Sequence, residues 1–491
     1  MTFLPKIGIL SLHMPQNAGL KWYLESSKKA NENLLRFLKN NQVYVVDSRQ
    51  SFPNGVRNET ELSEIFATFK RERVQVVLVE MYDVPPEKLF LKAMLTMPVP
   101  FALYGTPHPA LKSALGLIRG GQLIWENLKQ PQAISSHRFW GVGRYLLRWI
   151  QGMSALYNLR KGTFVIFSEK TENYSETEYE FLTQNLEALV SIVNIQDILE
   201  IVETVSEKQA IHSLNYLLKN GLVLTNAQDV SRKDVLHQIK FVLAFQRWIR
   251  SSEIESINSV GFDPSTEKFL KSLNLNIGFL SAFFPYLDRH QTAQNGFPII
   301  RKVDETLLFT SALLSKISFP VPAFSGNVHF ADTHSFLISS PWGAPAYYAS
   351  GLTEGSAIFS NISIQKDCDS HWGVTAGFEA LTGEVTVATL SKLPGNRYVM
   401  QMGEGWSREI TQEMRQIIQW GVSWPHIAID LGVRPYLLIQ TLGSPFVSVI
   451  MKRNADEIQA VCEQLQVPVI AMDSEVSIKE FRDTFRTGRA F

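Results

Sequence analysis

The stretch Val74-Gln75-Val76-Val77-Leu78-Val79 is apolar at every position but one and rich in valine. A short apolar run that does not alternate with polar residues marks a strand covered on both faces. Similar runs lie at Ile7–Leu12, Val43–Val46 and Val99–Leu103. Between them, Trp22–Leu38, Glu61–Phe69 and Glu87–Leu95 carry apolar residues at helical spacing. Strands alternating with helices predict a parallel sheet clothed by helices on both sides. Ligands of such sheets sit outside the carboxyl ends of the strands. That rule singles out His13, Glu80 with Tyr82, and the turn Gly105-Thr106-Pro107-His108.

The pattern continues beyond this unit. A long helix is predicted over Arg138–Tyr157, and a strand at Thr163–Phe167 opens a second α/β unit. Helical patterns follow at Glu176–Val190, Ala210–Lys219 and Lys233–Ile249, then a strand near Leu275–Leu280 and a helix over Glu305–Ile317. After residue 320 short alternating runs, at Ser335–Ser339, Ala357–Ile364, Glu384–Ser391 and Arg397–Gln401, are separated by turns rich in Gly, Pro and Asn. Such a texture predicts an antiparallel sheet or barrel. A helix over Asp456–Leu465 and a strand over Val467–Ala471 end the chain. The expected fold is α/β, with two doubly wound parallel-sheet domains (1–160 and 161–320) followed by a C-terminal antiparallel β-barrel domain (321–491).

Composition narrows the function. The chain has 491 residues, 45% apolar and 19% charged, which excludes a disordered, collagen-like or coiled-coil protein. Lys+Arg and Asp+Glu are 47 each, so no net field favours nucleic acid or an anionic membrane. Two cysteines, Cys368 and Cys462, are too few for a disulfide framework and point to a reducing compartment. The first ten residues read as a strand rather than a signal peptide, and no apolar run is long enough to span a bilayer. The expectation is a cytoplasmic protein with a small-molecule partner, no nucleic acid and no membrane.

Three stretches resemble the L-fucose isomerase and L-arabinose isomerase superfamily. Phe297–Asp304, entering the helix at Glu305, is similar to a family segment in which an apolar strand leads through Cys-Glu-x-Asp into a helix. Pro322–Asp332 resembles the strand that ends in an acidic metal ligand, and Gly383–Ser391 with Met402-Gly403-Glu404-Gly405 resembles a barrel hairpin. The resemblance implies two α/β domains and a barrel, a homo-oligomer, and aldose–ketose isomerisation. It implies Mn²⁺ as cofactor, held by two acids and a histidine to stabilise charge on adjacent oxygens.

Carried over position by position, the ligand set is incomplete. The first acid falls on Lys302, the second on Asp332; another ligand position falls near Ser340-Pro341-Trp342 and the terminal histidine on Pro445-Phe446-Val447-Ser448. One retained ligand does not make a metal site, so no cofactor is expected, with Mn²⁺ on Asp332 and His334 as the alternative. Asp304 or Glu305 would need local remodelling to replace the lost acid. The expectation is a divergent, isomerase-like enzyme acting on a small polyol or carbonyl compound. Lys302, Asp332 and His334 would be catalytic, the Lys302 ammonium standing near the old metal position. His13, Glu80, His108, Arg138, Trp342 and His426 would bind substrate, Arg138 from the first turn of the long helix. A non-catalytic carbohydrate-binding or regulatory protein, and an isomerase with a shifted metal site, are the alternatives.

Other motifs favour structural readings. Asp367-Cys368-Asp369-Ser370-His371 reads as a surface loop with a free thiol, and Gly403-Glu404-Gly405-Trp406 as a tight hairpin with an exposed acid. Gly141-Val142-Gly143 lacks both a preceding strand and the third glycine of a dinucleotide site.

Overall fold

A computed structural model describes residues 4–17, 20–127, 137–169, 176–224, 230–287, 296–301, 304–367, 371–417 and 423–487. The chain divides into two compact units: residues up to Asn158 together with Asp456–Gln466, and Leu159–Ala455 together with the residues from Val467 on.

The first unit is a five-stranded parallel sheet of β1 (Lys6–Ser11), β2 (Tyr44–Asp47), β3 (Val76–Glu80), β4 (Phe101–Gly105) and β5 (His137–Trp140), ordered β2-β1-β3-β4-β5. Every residue of β3 is buried, as its unbroken apolar run requires. Helices Lys21–Asn40, Glu59–Arg71, Glu87–Thr96 and Ser113–Asn127 connect the strands or follow them. The order reverses at β1 and β3, where Ser11 pairs with Glu80. The helix Ala455–Leu465, from far along the chain, returns to this unit: Asp456 pairs with Arg148, and Glu463 lies 3.6 Å from His137 Nε2.

One expectation fails here. Arg138 does not open a helix; it lies on the edge strand β5, and the helix starts only at Arg144. Gly141, at φ +80, breaks the chain between the two in a left-handed conformation. The apolar residues of His137–Trp140 pair with β4 instead of continuing a helix.

The second unit holds two larger sheets. Strands β6 (Thr163–Ser168), β7 (Leu189–Asn194), β8 (Ile257–Phe262) and β9 (Ile299–Arg301) form a parallel sheet ordered β7-β6-β8-β9. Two elements depart from the pattern. The expected strand near Leu275–Leu280 is the start of a buried helix, Ile277–Leu287, since an apolar run alone does not tell a buried helix from a strand. The expected helix over Glu176–Val190 is two short helical turns and then β7.

The other sheet comprises β10 (Phe324–Ala331), β11 (Phe336–Ser339), β14 (Gly383–Leu393), β15 (Arg397–Arg408), β16 (His426–Asp430), β17 (Phe446–Ile450) and β18 (Val469–Ala471); β12 (Ser363–Lys366) and β13 (Val374–Gly377) pair separately. Its pairings run β14-β17-β10-β11-β16-β15 and return to β14, all antiparallel, with β18 added in parallel to β15. Helix Glu305–Ser318 is buried along its first eleven residues. It lies between the sheets: Lys316 Nζ reaches Ile257 O at 3.2 Å, and Thr310 Oγ1 accepts from Leu390 N at 3.0 Å. A helix buried on every side needs cover all round, and sheet contacts on both sides supply part of it. No helix among the described residues is long and apolar enough to cross a membrane.

Glycine matters most where the turn after β11 meets helix Ile277–Leu287. Gly343 has φ +82, and a Cβ there would stand 2.4 Å from Gly278 O. Gly403 and Gly405, expected to form a tight hairpin, instead lie within β15, where a Cβ on Gly405 would meet Asp430 O at 2.2 Å. Close strand approach, not a turn, selects glycine there. We predict that Gly343→Ala lowers unfolding free energy by more than about 2 kcal/mol. Gly395→Ala, also at positive φ but with no atom near its Cβ, should cost clearly less; equal losses in urea titrations would contradict the packing argument.

Candidate functional site

The sequence places three groups at the carboxyl edge of the first sheet, and the structure puts His13 after β1, Glu80 at the end of β3 and His108 after β4. They do not converge. His13 Nδ1 lies 2.9 Å from Asn54 O, and His108 Nδ1 accepts from Ala110 N at 3.2 Å. Glu80 is the centre of a closed network instead. Its carboxylate accepts from Ser11 Oγ, from Asn31 Nδ2 at 2.9 Å, from Tyr82 Oη at 2.7 Å and from Arg49 Nε at 3.0 Å. Burial and the Glu80 charge raise the Tyr82 hydroxyl well above its usual range. Burial, with Glu80 next, also raises the Asp47 carboxyl. Arg138 lies across the helix Ser113–Asn127, its guanidinium occupying the space over Gly121.

Lys302 lies outside the described residues. Asp332 follows β10 and closes the turn to β11: its Oδ1 accepts from His334 N at 2.7 Å and Ser335 N at 2.6 Å. Burial works to raise the Asp332 carboxyl, but those backbone donors hold it below the usual carboxylate range. The His334 ring is exposed. Asp304 caps helix Glu305–Ser318 through Leu307 N at 2.9 Å. Glu305 accepts from Phe181 N at 2.7 Å and Tyr398 Oη at 2.8 Å. These carboxylates are already taken, so the donors do not fit a divalent ion. Among the described residues, no three or more of His, Cys, Asp and Glu gather as an ion would need.

Of the expected residues, His426 ends a row that crosses four strands, and Trp342 packs at the other end of it. In the antiparallel sheet, Phe446 pairs with Asn327, Asn327 with Ser339, and Ser339 with His426. Directly opposed residues share a face, so four side chains from four strands form one transverse row. The row runs from half-buried Phe446 and Asn327 to fully buried Ser339 and His426. Trp342, buried in the turn after β11, sets its ring 6.1 Å from that of Phe446.

Four polar atoms of this group have no hydrogen-bond partner: Asn327 Oδ1, Ser339 Oγ, His426 Nε2 and Trp342 Nε1. Each such atom costs about 1–3 kcal/mol when buried unmet. Native proteins leave a few such atoms per hundred residues, each needing an explanation, and three of these four lie in one transverse row. His426 does bond the backbone of Trp424, and that bond favours the protonated ring. Since Nε2 is unpartnered, Nδ1 is the donor and Nε2 carries the free lone pair. Burial, aided by His329, lowers the imidazole to about 4, against the opposing pull of the Trp424 bond and Glu379. The ring is therefore neutral near pH 7.

The sequence singled out Trp342 and His426 but not Asn327 and Ser339, because only strand register reveals the row. It also missed Arg49, Ser11 and Asn31 around Glu80. Asp367, expected on a surface loop, is buried and accepts from Asn276 Nδ2 at 3.1 Å, while Cys368, Asp369 and Ser370 lie outside the described residues.

No family model and no curated protein matches the chain. Solved structures that match include a periplasmic solute-binding protein of an ABC transporter from Actinobacillus succinogenes with bound D-allose. It is 16% identical, covers 55% of this chain and 82% of its own, and has a TM-score of 0.15. Another is the XylFII–LytSN complex, 13% identical, covering 55% and 84%, with a TM-score of 0.14. At these TM-scores neither a fold nor a ligand transfers to this chain.

Two stability predictions follow from the charges. Arg49→Met leaves the Glu80 carboxylate without its cation and should cost about 3–5 kcal/mol. Adding Glu80→Gln should restore part of that loss, and a double variant no more stable than the single one would contradict the pairing. His426 has a folded pKa below its ordinary 6.5, so between the two values only the unfolded chain binds the proton. Stability should fall by up to about 3 kcal/mol as pH drops from 6.5 to about 4. His426→Gln should flatten that slope in urea unfolding measured across the range.

Proposed function

We propose that the second unit binds a small, uncharged, polyhydroxylated compound of the carbohydrate class at the Phe446–Asn327–Ser339–His426 row. The observation that carries the reading is the set of unmet polar atoms in register beside aromatic rings. Asn327 Oδ1 and the His426 Nε2 lone pair accept from hydroxyls, Trp342 Nε1 donates, and Ser339 Oγ does either. Indole and phenyl faces cover the C–H side of such a molecule.

The resemblance to the fucose and arabinose isomerases supports the same place. Two stretches it matches to metal ligands, Ser340-Pro341-Trp342 and Pro445-Phe446-Val447-Ser448, meet where the Trp342 and Phe446 rings lie 6.1 Å apart. A closed course of strand pairings is what a barrel of that kind would require. Side chains replace the ion at this site, and isomerisation through a chelated enediolate is not part of the reading. Freshly purified protein should hold no stoichiometric manganese, cobalt or iron by elemental analysis.

A panel of monosaccharides and alditols tests the proposal by thermal shift and calorimetry. At least one compound should raise Tm in a concentration-dependent way, and the rise should vanish in His426→Gln and Asn327→Ala. Glu80→Gln, in the other unit, should keep it. A panel without any shift, or shifts indifferent to His426 and Asn327, would overturn the assignment.

A further inference from the structure

We infer that Ser339 and His426 form a nucleophile–base pair that removes acyl groups from carboxylic esters of small polyols, with Asn327 Nδ2 as the oxyanion donor. The inference rests on the row being a ligand site and adds a reaction to it.

Strand register supplies the first argument. Ser340 N donates to Pro425 O at 2.9 Å, while the His426 N–H and C=O turn away, to Phe378 O at 2.9 Å and Ala380 N at 2.8 Å. Ser339 and His426 are thus a non-hydrogen-bonded cross-strand pair, in which Cα atoms approach to about 4.5 Å and side chains lie closest. Both functional atoms, Ser339 Oγ and His426 Nε2, are buried and have no hydrogen-bond partner, one another included. Rotation about the serine χ1 is the freedom that brings Oγ to Nε2, and such contacts tighten when substrate binds.

The second argument is the imidazole. A serine–histidine pair needs a third group that fixes the tautomer, with Nδ1 as donor and Nε2 as base. The Trp424 backbone does this for His426. The neighbouring acid, Glu379, is engaged in a two-point pair with Arg415, at 2.7 and 2.6 Å, so its charge is matched. Asn327 follows on the other side of Ser339, on the same face; with its amide turned over from the orientation that leaves Oδ1 unmet, its N–H₂ meets the oxygen of an acyl carbonyl. Trp342 and Phe446 give the acyl chain an apolar wall.

The step balances without a cofactor. As the Oγ–C bond forms, the Ser339 proton passes to His426 Nε2, and the carbonyl π pair moves to oxygen, facing Asn327. Collapse of this intermediate breaks the ester C–O bond, and the leaving alkoxide takes the proton from the imidazolium. Water then repeats the sequence on the acyl-enzyme, releasing the carboxylic acid and restoring the serine.

A fluorophosphonate probe, which loses fluoride as a serine Oγ–P bond forms, tests this on the full chain, with the adduct located by peptide mass spectrometry. The expected result is one adduct, on Ser339, formed about a hundredfold more slowly in His426→Gln and at the original rate in Ser325→Ala. The parent chain should also hydrolyse glycerol triacetate. Adduct on another residue, no adduct, or an undiminished rate in His426→Gln overturns the acyl-transfer inference. If polyols still stabilise the protein through His426, the binding site stands without the reaction; if they do not, both readings fall. The adduct position in the parent chain decides the matter even if a variant does not fold.

Discussion

A one-residue slip of β11 against β16 would turn Ser339 and every other side chain of β11 to the opposite face. What forbids it is the apolar surface on that other face, where Val449, Phe324, Ile338 and Ile427 share strands with the row residues at opposite parity, Val387 pairs with Val449, and all five are buried. The second side of the sheet is covered as well. Leu337 and Ala428, two positions from Ser339 and His426, pack with Ile410 and Met414, and the Ser325 and Ser448 hydroxyls meet at 2.8 Å. Both faces are buried, so polar groups on the second face must be met by protein or by something else.

Two buried polar centres in this chain answer that demand differently. Around Glu80 every carboxylate oxygen has donors: Ser11, Asn31, Arg49 and Tyr82 close the network. A complete network of this kind fixes the carboxyl edge of the sheet and leaves little for a ligand to supply. In the row of Asn327, Ser339 and His426 the hydroxyl pair Ser325–Ser448 shows how close serines could have been matched, yet Ser339 is not. Unmet groups held rigid by strands on both sides are preorganised, and preorganisation is what binding and catalysis require.

Much of the fold is legible in the sequence, because four strands of the first sheet are short apolar runs alternating with helical segments, a pattern that points to a parallel sheet. The misread elements share a cause. Leu275–Leu280 and His137–Trp140 are short segments whose fate depends on what packs beside them, which periodicity does not encode. At the site, Trp342 and His426 were visible as aromatic and imidazole groups beside prolines. Asn327 and Ser339 are ordinary strand residues whose meaning comes only from cross-strand pairing. Asp332 and His334 looked like a ligand pair by sequence parity, but the carboxylate closes a turn through backbone donors and the ring stays in solvent.

Nitrogen-15 NMR of the histidine side chains tests the central claim most directly, that an unpartnered His426 lone pair waits for a ligand. The account predicts a neutral ring protonated on Nδ1 at pH 7, with an Nε2 resonance that moves when a stabilising polyol is added. An Nδ1 resonance without its proton, or an Nε2 signal unmoved at ligand saturation, would contradict it.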